Sequence, residues 1–523
     1  MADTAILAQS APQGAMDAQR PEHFDVLVVG AGLSGVGAGY HLQTKCPGKS
    51  FVILEGRHAI GGTWDLFRYP GVRSDSDMYT LGYNFRPWVE RKAIADGPSI
   101  LKYIEDTARE YGIDRKIRFG HKVMQAAWSS PNARWTVDAT GPGGRPVQFT
   151  CNFLYMCSGY YDYERGYLPG WPGMDRFRGT LVHPQKWPEN LDYKDKRVVV
   201  IGSGATAVTL VPAMAETAAH VTMLQRSPTY IVARPAVDPI ATWLHKRFSV
   251  RFADRLVRWK NVLFGMYFYN LTRRKPEVAK KMLLDLARQQ LGPNYDIEKH
   301  LTPRYYPWDQ RLCLIPDADL FLSMRSGKSS IVTDEIASFT ESGLQLKSGE
   351  HLDADIIVTA TGLNLKLLGG IQLCIDGAPS NPAKSMSYKG LMYSDIPNFA
   401  SAFGYTNASW TLKCDLTAEY MCRLLNHMDA RGYDYCTPRR RDPSIVEESA
   451  IKMTSGYLQR SSAILPKQGS KKPWKLYQNY ALDLLALRFG NVEDGTMEFS
   501  SVQSQRDAAS ARESHSVPLT TAQ

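Results

Sequence analysis

The sequence predicts an α/β protein with two Rossmann-like dinucleotide-binding domains and an inserted helical lobe. Two distant segments, beginning at Phe24 and at Arg197, each combine an apolar run of strand type, a glycine-rich turn and a helical pattern. Between the second segment and the strand-like runs that return at Ser330, residues 236–304 are helical, basic and aromatic in pattern. A chain of 523 residues is long enough for about three structural units.

The composition excludes several classes of protein. Apolar residues make up 44% and charged residues 22%, which is typical of a globular protein and not of a disordered, collagen-like or coiled-coil chain. Eight cysteines are too few for a disulfide scaffold, no CxxC or CxxxxC pair is present, and no cysteine–histidine cluster of zinc type appears, so we predict no metal site. No signal-peptide pattern is seen, and the longest apolar stretch, 262–271, is too short to span a bilayer. We therefore expect a cytoplasmic protein.

The domain boundaries follow from where these patterns change. Both ends of the chain are small, polar and without helical or strand period, which predicts flexible tails. The predicted segments are a tail at 1–22, the first dinucleotide-binding domain at 23–160 and 389–498, the second at 161–235 and 305–388, the helical insertion at 236–304, and a tail at 499–523.

The first glycine-rich turn has the form GxGxxG. Gly30 permits a tight turn, Gly32 lets the backbone approach a pyrophosphate, and Gly35 lets the helix pack closely on the strand. Glu55 ends the following apolar run, where a carboxylate accepts hydrogen bonds from ribose hydroxyls and repels a 2′-phosphate. The pattern therefore predicts FAD or NAD at this site, the alternative being a glycine-rich turn in an unrelated α/β protein.

The second turn has the form GxGxxA. Gly202 and Gly204 repeat the roles of the first turn, and Thr206 lies inside it as a further cofactor contact. After the next apolar run comes Arg226, which can pair with a 2′-phosphate. This site therefore favours NADP(H), which leaves FAD to the first site. The alternative is that Arg226 is only a surface arginine.

An apolar run at 355–362 ends in the small residues Ala-Thr361-Gly362, which lets the chain pass close to a cofactor. Two such folds joined by this run resemble the flavin monooxygenase superfamily. The run 177–187, with Phe177, Gly179, His183 and Trp187, matches FxGxxxHxxxW of the type I Baeyer–Villiger monooxygenases. Relatives that oxygenate nitrogen or sulfur typically carry tyrosine at the last position.

A second motif supports the same family. The run 61–75 matches [AG]GxWxxxx[FY]P[GM]xxxD, and the resemblance makes Gly62, Thr63, Trp64 and Asp75 contacts of the cofactor site. The resemblance covers roughly residues 24 to 495, and several runs are similar to a mycobacterial subgroup of the family. It also implies that His183 lies on a linker between the two lobes and couples the position of NADP(H) to domain movement.

The resemblance implies an enzyme and its mechanism. NADPH reduces FAD, oxygen adds at flavin C4a, and the deprotonated C4a-peroxyflavin inserts one oxygen atom of O2 next to a ketone carbonyl to give an ester or lactone. Arg311 occupies the position of the catalytic arginine, whose fixed charge would stabilise the peroxide, and Asp75 that of the acid which orients it. The pair could instead be a structural salt bridge. Sulfides or thioamides are further candidate substrates.

One position departs from the family pattern. Several relatives carry lysine directly before the catalytic arginine, where it helps to bind the 2′-phosphate, whereas this chain has Gln310. Arg226 would then carry most of the discrimination, and the preference for NADPH would be weaker than in those relatives.

The helical insertion leaves two alternatives open. From Lys246 to Arg288 there are 12 Lys or Arg against 3 Asp or Glu. Apolar residues recur at helical spacing alongside this charge: Phe248, Phe252, Leu256, Trp259 and Leu263. This side either packs on the second domain or makes a peripheral contact with an anionic membrane. The net charge of +10 does not by itself indicate nucleic-acid binding, because no recognised motif accompanies it.

Three rival functions stay open at this stage. The nearest is a flavin-containing monooxygenase that oxygenates nitrogen or sulfur. A flavin reductase of disulfide-reductase type is disfavoured by the missing cysteine pairs, and a non-catalytic flavoprotein on membranes is the third. The sequence does not determine the ketone or the oligomeric state.

Overall fold

The computed structural model describes residues 20–451 and 453–503. Most of the two predicted tails lies outside the described residues. The strands before the second domain are β1 Glu22–Val29, β2 Phe51–Leu54, β3 Ile117–Arg118, β4 Lys122–Ser129, β5 Arg134–Thr140, β6 Pro146–Met156 and β7 Tyr161–Gly166. The strands between residues 180 and 365 are β8 Thr180–Val182, β9 Arg197–Ile201, β10 His220–Gln225, β11 Ile231–Arg234, β12 Cys313–Pro316, β13 Ser329–Thr333, β14 Ile336–Phe339, β15 Gly343–Leu346, β16 His351–Asp353, β17 Ile356–Thr359 and β18 Leu363–Leu365.

The remaining strands are short, and the helices are of very different lengths. These strands are β19 Gln372–Ile375, β20 Ala378–Ser380, β21 Ser387–Tyr388, β22 Met392–Tyr393, β23 Phe399–Ser401, β24 Tyr435–Pro438, β25 Glu447–Ser449, β26 Lys467–Gly469 and β27 Met497–Ser500. The helices are α1 Leu33–Lys45, α2 Thr63–Leu66, α3 Met78–Leu81, α4 Gly97–Glu110, α5 Ala205–Ala215, α6 Pro239–Arg247, α7 Val250–Arg274, α8 Pro276–Leu291, α9 Ile297–Leu301, α10 Asp319–Arg325, α11 Trp410–Arg431, α12 Gly456–Arg460 and α13 Tyr480–Leu484.

The first domain is built on a nine-stranded sheet. Its order is β20-β19-β4-β5-β6-β1-β2-β3, and β23 also pairs with β6. The strands β1, β2 and β6 run parallel at its centre, and the apolar end of β1 is buried on both faces, as its continuous run of valine and leucine requires. One face packs on α1, α4 and α11, which places the first glycine turn at the carboxyl edge of the sheet.

The second domain is built on five parallel strands in the order β13-β10-β9-β17-β8. The helix α5 follows β9 and packs its buried residues, including Val208 and Val211, against this sheet. Parallel strands joined by helices are the arrangement that two dinucleotide-binding folds require. The predicted α/β class with two Rossmann-like domains is therefore present.

A two-stranded ribbon connects the domains. The strand β7 carries the chain out of the first sheet, β18 carries it out of the second, and the two pair antiparallel, with Leu363 opposite Gly166 and Leu365 opposite Tyr161. Both crossings between the domains therefore occur at one place, beside the carboxyl ends of both sheets.

The helical lobe differs from the prediction in its packing. The helices α6 to α9 lie within the predicted insertion, but Ala253 and Val257 of α7 belong to the core of the first domain, whereas Leu284 of α8 and Leu301 of α9 belong to that of the second. The alternative that the lobe packs on the second domain therefore describes α8 and α9, whereas α7 packs on the first domain. The lobe bridges both domains because its successive helices turn their small buried faces in different directions.

Three predicted boundaries also differ from the structure. The strands β19 and β20 belong to the first sheet, where β19 pairs parallel with β4, so the chain returns to the first domain before residue 388. These strands are too short for a sequence pattern to reveal their partner. In addition, β1 begins at Glu22 and β27 ends at Ser500, so each predicted tail overlaps a strand. Within the described ranges, no helix is long and apolar enough to cross a membrane.

Candidate active site

A cavity of about 1300 Å³ lies where the two domains meet. Its wall is formed by the turns that follow β1, β2, β9 and β17, which are the carboxyl ends of parallel strands in both sheets. Ligands of such sheets bind at this edge, because the strand ends and the helix N-termini converge there. Most of the predicted site residues line this one cavity: Gly30, Gly32, Glu55, Gly62, Thr63, Trp64, Asp75, Gly202, Gly204, Thr206, Arg226, Gln310, Arg311, Thr361 and Gly362.

In the first glycine turn, Gly30 and Gly35 have no space for a side chain, whereas Gly32 lines the cavity. Gly30 has φ +106°, and a Cβ atom there would lie 2.5 Å from the carbonyl oxygen of Cys157. A Cβ atom on Gly35 would overlap the carbonyl oxygen of Gly30. At Gly32 the nearest atoms would belong to Gly62 at 3.6 Å, and no side chain caps the helix α1 that begins there. The first N–H groups of α1 are therefore free to bind a phosphate.

Glu55 is buried at the end of β2 and organises this turn. Its Oε2 atom accepts a hydrogen bond from the backbone N–H of Ala31 at 2.7 Å, and its Oε1 atom accepts one from Arg57 at 2.9 Å. A carboxylate can accept about four hydrogen bonds, so capacity remains for ribose hydroxyls at the cavity wall. The residues thus fit a dinucleotide whose ribose lies against β2.

The second turn repeats this geometry. Gly202 has φ +134°, and a Cβ atom there would overlap the carbonyl oxygen of Ala360, whereas a Cβ atom on Gly204 would meet nothing within 4 Å. The helix α5 begins at Ala205 without a side-chain cap. Arg226 is exposed and lines the same part of the cavity, where the turn after β10 would receive the 2′-phosphate end of a cofactor. The donor set fits NADP.

Arg311 and Asp75 form a two-pronged ion pair in the cavity wall. The Nε atom of Arg311 lies 2.7 Å from Oδ2 of Asp75, and its Nη2 atom donates to Oδ1 at 3.0 Å. The carboxylate of Asp75 raises the pKa of Arg311, so the guanidinium stays charged. The pair uses Nε and Nη2, and Nη1 has no acceptor among the described residues, so the guanidinium keeps donors for a ligand in the cavity that Arg311 lines.

A group of aromatic residues around Arg311 was not predicted. The hydroxyls of Tyr160 and Tyr161 lie 3.0 Å apart, and the ring of Tyr160 stacks on Trp410 with centroids 5.0 Å apart. Tyr457, at the start of α12, lines the same wall, and burial raises its pKa to about 12. The repeated tyrosines directly after the turn at Gly159 are a signal that sequence analysis could have used. They make the wall beside Arg311 apolar, with neutral hydroxyl groups.

The residues of the second motif lie close to the first turn. Gly62 has φ +56° and precedes α2, the Thr63 hydroxyl lies 3.3 Å from the hydroxyl of Tyr163, and Trp64 packs against the core of the first domain. On the opposite wall, the Thr361 hydroxyl donates to the carbonyl oxygen of Tyr167 at 2.6 Å.

The residues of the FxGxxxHxxxW motif lie outside the cavity wall. The ring of Phe177 packs edge-on against Phe339, Trp187 packs on the core of the second domain, and a Cβ atom on Gly179 would overlap the backbone of Asp355. These three contacts hold the segment on the second sheet. The motif therefore acts here through packing.

His183 packs against the connecting ribbon. Its Nδ1 atom accepts from the backbone N–H of Gln185 at 3.2 Å, its Nε2 atom is buried without a partner among the described residues, and its ring covers Gly166 of β7. Burial lowers the pKa of His183. A neutral imidazole at this junction fits a positioning role between the domains.

Comparison with known proteins identifies the family. Residues 92–270 match the flavin-binding monooxygenase-like family, and residues 28–89 match the NAD(P)-binding Rossmann-like domain. The chain is 54% identical over 480 residues to the FAD-containing monooxygenase EthA of Mycobacterium tuberculosis H37Rv, which covers 92% of this chain and 98% of the relative. The chain therefore belongs to the flavin-binding monooxygenase-like family, and the predicted resemblance is confirmed.

Further relatives and solved structures agree. The probable FAD-binding monooxygenase AlmA of Acinetobacter baylyi is 48% identical over 480 residues, covering 91% of this chain and 96% of the relative. A steroid monooxygenase bound to NADP superposes with a TM-score of 0.73 at 23% identity, and an open form of cyclohexanone monooxygenase with 0.70 at 20%; each covers 92% of this chain and 100% of the other. At these identities the structures confirm the predicted two-domain fold.

Proposed function

We propose that this NADPH-dependent, FAD-containing monooxygenase is a Baeyer–Villiger enzyme that inserts one oxygen atom of O2 next to a ketone carbonyl to give an ester or lactone. The second oxygen atom leaves as water, and NADPH supplies the two electrons. The observation that carries the proposal is the ion pair of Arg311 and Asp75, with one edge of the guanidinium directed into the cavity between the two dinucleotide turns.

The chain divides the binding of the two cofactors between its domains. The turn of Gly30 and Gly32, with Glu55, would hold FAD, and the turn of Gly202 and Gly204, with Arg226, would hold NADP(H). When bound, the reduced flavin activates O2 and supplies the oxygen atom that is transferred. Both turns open into the cavity that Arg311 lines.

Arg311 would provide a fixed positive charge for an anionic oxygen. Asp75 holds the guanidinium by two hydrogen bonds, so the free edge keeps one direction and no reorganisation is needed during the reaction. Tyr160 and Trp410 give this region an aromatic wall that limits access of water. A charged donor favours a deprotonated oxygen nucleophile, which is the form that attacks a ketone, and the effect is stronger where water is excluded.

The same wall bears on the alternative substrates. A protonated amine would be repelled by Arg311, whereas a neutral ketone, sulfide or thioamide would pack against the aromatic rings without an electrostatic penalty. We therefore place sulfides and thioamides as secondary substrates, and N-oxygenation as the alternative function.

Product analysis tests the proposal directly. The holoenzyme is incubated with NADPH, 18O-labelled O2 and a set of matched substrates: a linear ketone, a cyclic ketone, a thioether, a thioamide and a tertiary amine. We expect an ester or lactone with one labelled oxygen atom, and less N-oxide than ester. Formation of N-oxide without ester would contradict the proposal, and so would hydrogen peroxide as the sole oxygen product with every substrate.

A further inference from the structure

The helix α7 exposes its larger apolar residues. Its buried residues are mostly small or singly branched, such as Ala253, Val257 and Val262. Its outer face carries Phe252, Leu256, Trp259 and Leu263, which are between 38 and 56% exposed. A row of large apolar side chains facing outward is costly unless something covers it.

Neighbouring elements extend this row into a surface. At the N-terminal end of α7, the ring centroid of Phe248 lies 5.4 Å from that of Phe252 and 6.4 Å from that of Trp243 in α6. In the middle of α7, the ring centroids of Trp259 and Tyr480 lie 5.8 Å apart. The segment that follows Tyr480 exposes Leu485 and Phe489. Within α7 the row from Phe252 to Leu263 alone is about 17 Å long at the rise of an α-helix. We refer to these residues of α6, α7 and 480–489 as the apolar surface.

The charge beside the apolar surface has one sign. Lys246, Arg247, Arg251 and Arg255 are exposed along it, and none of them has a carboxylate partner among the described residues. The single acidic residue from 239 to 275 is Asp254, which is buried on the opposite face of α7. The apolar surface is therefore bordered by four free cations without an exposed anion on its own two helices.

We infer that the apolar surface docks on an anionic lipid bilayer. Tryptophan and phenylalanine would enter the boundary between headgroups and acyl chains, and the four cations would lie at the level of the lipid phosphates. A second copy of the chain is a poor occupant, because a two-fold contact would bring the same cations together. A bilayer satisfies both the apolar and the charged part of the surface.

The docked helix also reaches the candidate active site. Near its C-terminal end, Tyr269 contacts the ring of Trp308 at 5.6 Å, and Arg273 donates to Asp309 at 2.7 Å. Trp308 and Asp309 lie directly before Gln310 and Arg311 in the chain. Docking would therefore place a bilayer, in which apolar substrates concentrate, on the helix that contacts the segment before Arg311.

Flotation with lipid vesicles tests the inference on the full-length holoenzyme. Vesicles of phosphatidylcholine alone are compared with vesicles that contain about one third phosphatidylglycerol. We expect binding to the anionic vesicles, a decrease as the salt concentration is raised, and at least about a tenfold loss of binding in the double variant Arg251→Glu/Arg255→Glu. Leu256→Ser/Leu263→Ser should lose binding to a similar extent.

Matched controls separate this docking from charge or folding effects. Arg325→Glu/Lys328→Glu changes the net charge equally on an exposed part of the second domain, and Val89→Ser removes an exposed apolar side chain elsewhere. Both should bind vesicles like the parent, and all variants should keep the flavin spectrum. Equal binding to neutral vesicles, or no loss in the Arg251 and Arg255 variant, would overturn the inference. So would a leucine variant that binds vesicles normally but changes from an oligomer to a monomer in light scattering.

Discussion

At the scale of single residues, Arg311 uses two of its three guanidinium nitrogen atoms to bind Asp75. Asp75 accepts from Nε and Nη2, which fixes the plane of the guanidinium, and Nη1 has no acceptor among the described residues. Lysine could supply the charge but not this two-pronged orientation. The role of Arg311 therefore predicts different outcomes for removal and for conservative replacement.

Replacement of Arg311 should separate oxygen transfer from flavin reduction. Arg311→Ala is expected to lower the rate of ester formation by at least about 100-fold, because the anionic oxygen loses its fixed counter-charge. Reduction of the flavin by NADPH should be largely unchanged, and hydrogen peroxide should replace the ester. Arg311→Lys should recover part of the ester. Stopped-flow reduction and product analysis measure the two steps, and an alanine variant with the normal ester rate would refute the assignment.

The discrimination between NADPH and NADH should depend on Arg226. Arg226→Ala is expected to raise the KM for NADPH by about 10- to 100-fold and to leave the KM for NADH nearly unchanged, because only the 2′-phosphate loses a charged partner. Gln310→Lys should act in the opposite direction and lower the KM for NADPH. Steady-state kinetics with both cofactors measure the effects, and Arg325→Ala serves as an exposed control on the same domain. An equal change for both cofactors would indicate another role.

At the scale of elements, the ribbon of β7 and β18 is the feature through which the two domains can influence each other. His183 lies on the ribbon without lining the cavity, and its ring occupies the space that a side chain at Gly166 would need. The motif around His183 is otherwise packed on the second sheet by Phe177 and Trp187. A side chain at Gly166 should therefore disturb the packing of the ribbon against His183 more than the core of either domain.

Gly166→Ala tests this role of the ribbon. The added methyl group would displace the His183 ring, and we expect a loss of stability of about 1–3 kcal/mol together with a higher fraction of hydrogen peroxide among the products. Gly48→Ala offers a matched control, because a Cβ atom there would meet nothing within 4 Å and Gly48, like Gly166, is not in the left-handed region. Thermal unfolding and the ratio of peroxide to ester are measured for both. A Gly166 variant that loses stability but keeps the normal product ratio would leave His183 only a packing role.

At the scale of the whole molecule, stability should depend on pH through half-buried histidines in separate elements. Burial lowers the pKa of His183, His245 and His300 from the ordinary value of 6.5. The unfolded chain therefore binds more protons than the folded one as the pH falls through about 6.5. The contribution of these histidines to the free energy of unfolding is therefore fully present above this pH and decreases below it.

The expected outcome is a fall in the melting temperature between about pH 7.5 and pH 5.5. His183→Gln should make this dependence shallower, because one of the three groups no longer takes up a proton on unfolding. The buried Asp254 titrates in the same range, because burial raises its pKa to about 6, and it acts in the opposite direction to the histidines. The comparison of the parent with His183→Gln isolates the histidine contribution, because Asp254 is the same in both. A melting temperature that is equally steep in the variant would show that His183 does not contribute to the pH dependence.

The two glycine turns could be predicted from sequence because their causes are local. Gly30 and Gly202 have positive φ, and Gly35 has no space for a Cβ atom, so each motif records a steric demand of its own strand and helix. Glu55 and Arg226 follow at fixed distances along the next strand for the same reason. Short stretches of the sequence are therefore sufficient to predict the number and order of the dinucleotide-binding folds.

The tertiary structure decided what depends on contacts between distant segments. Asp75 and Arg311 are 236 residues apart, and only the meeting of the two domains brings them within 2.7 Å. The periodicity of α7 shows that the helix has two faces, but it does not tell which one faces the core. Small residues such as Ala253 and Val257 are buried because they allow close packing, and the larger Trp259 is left outside. Local sequence determines turns and faces, whereas long-range packing determines which groups meet in the site and which meet the solvent.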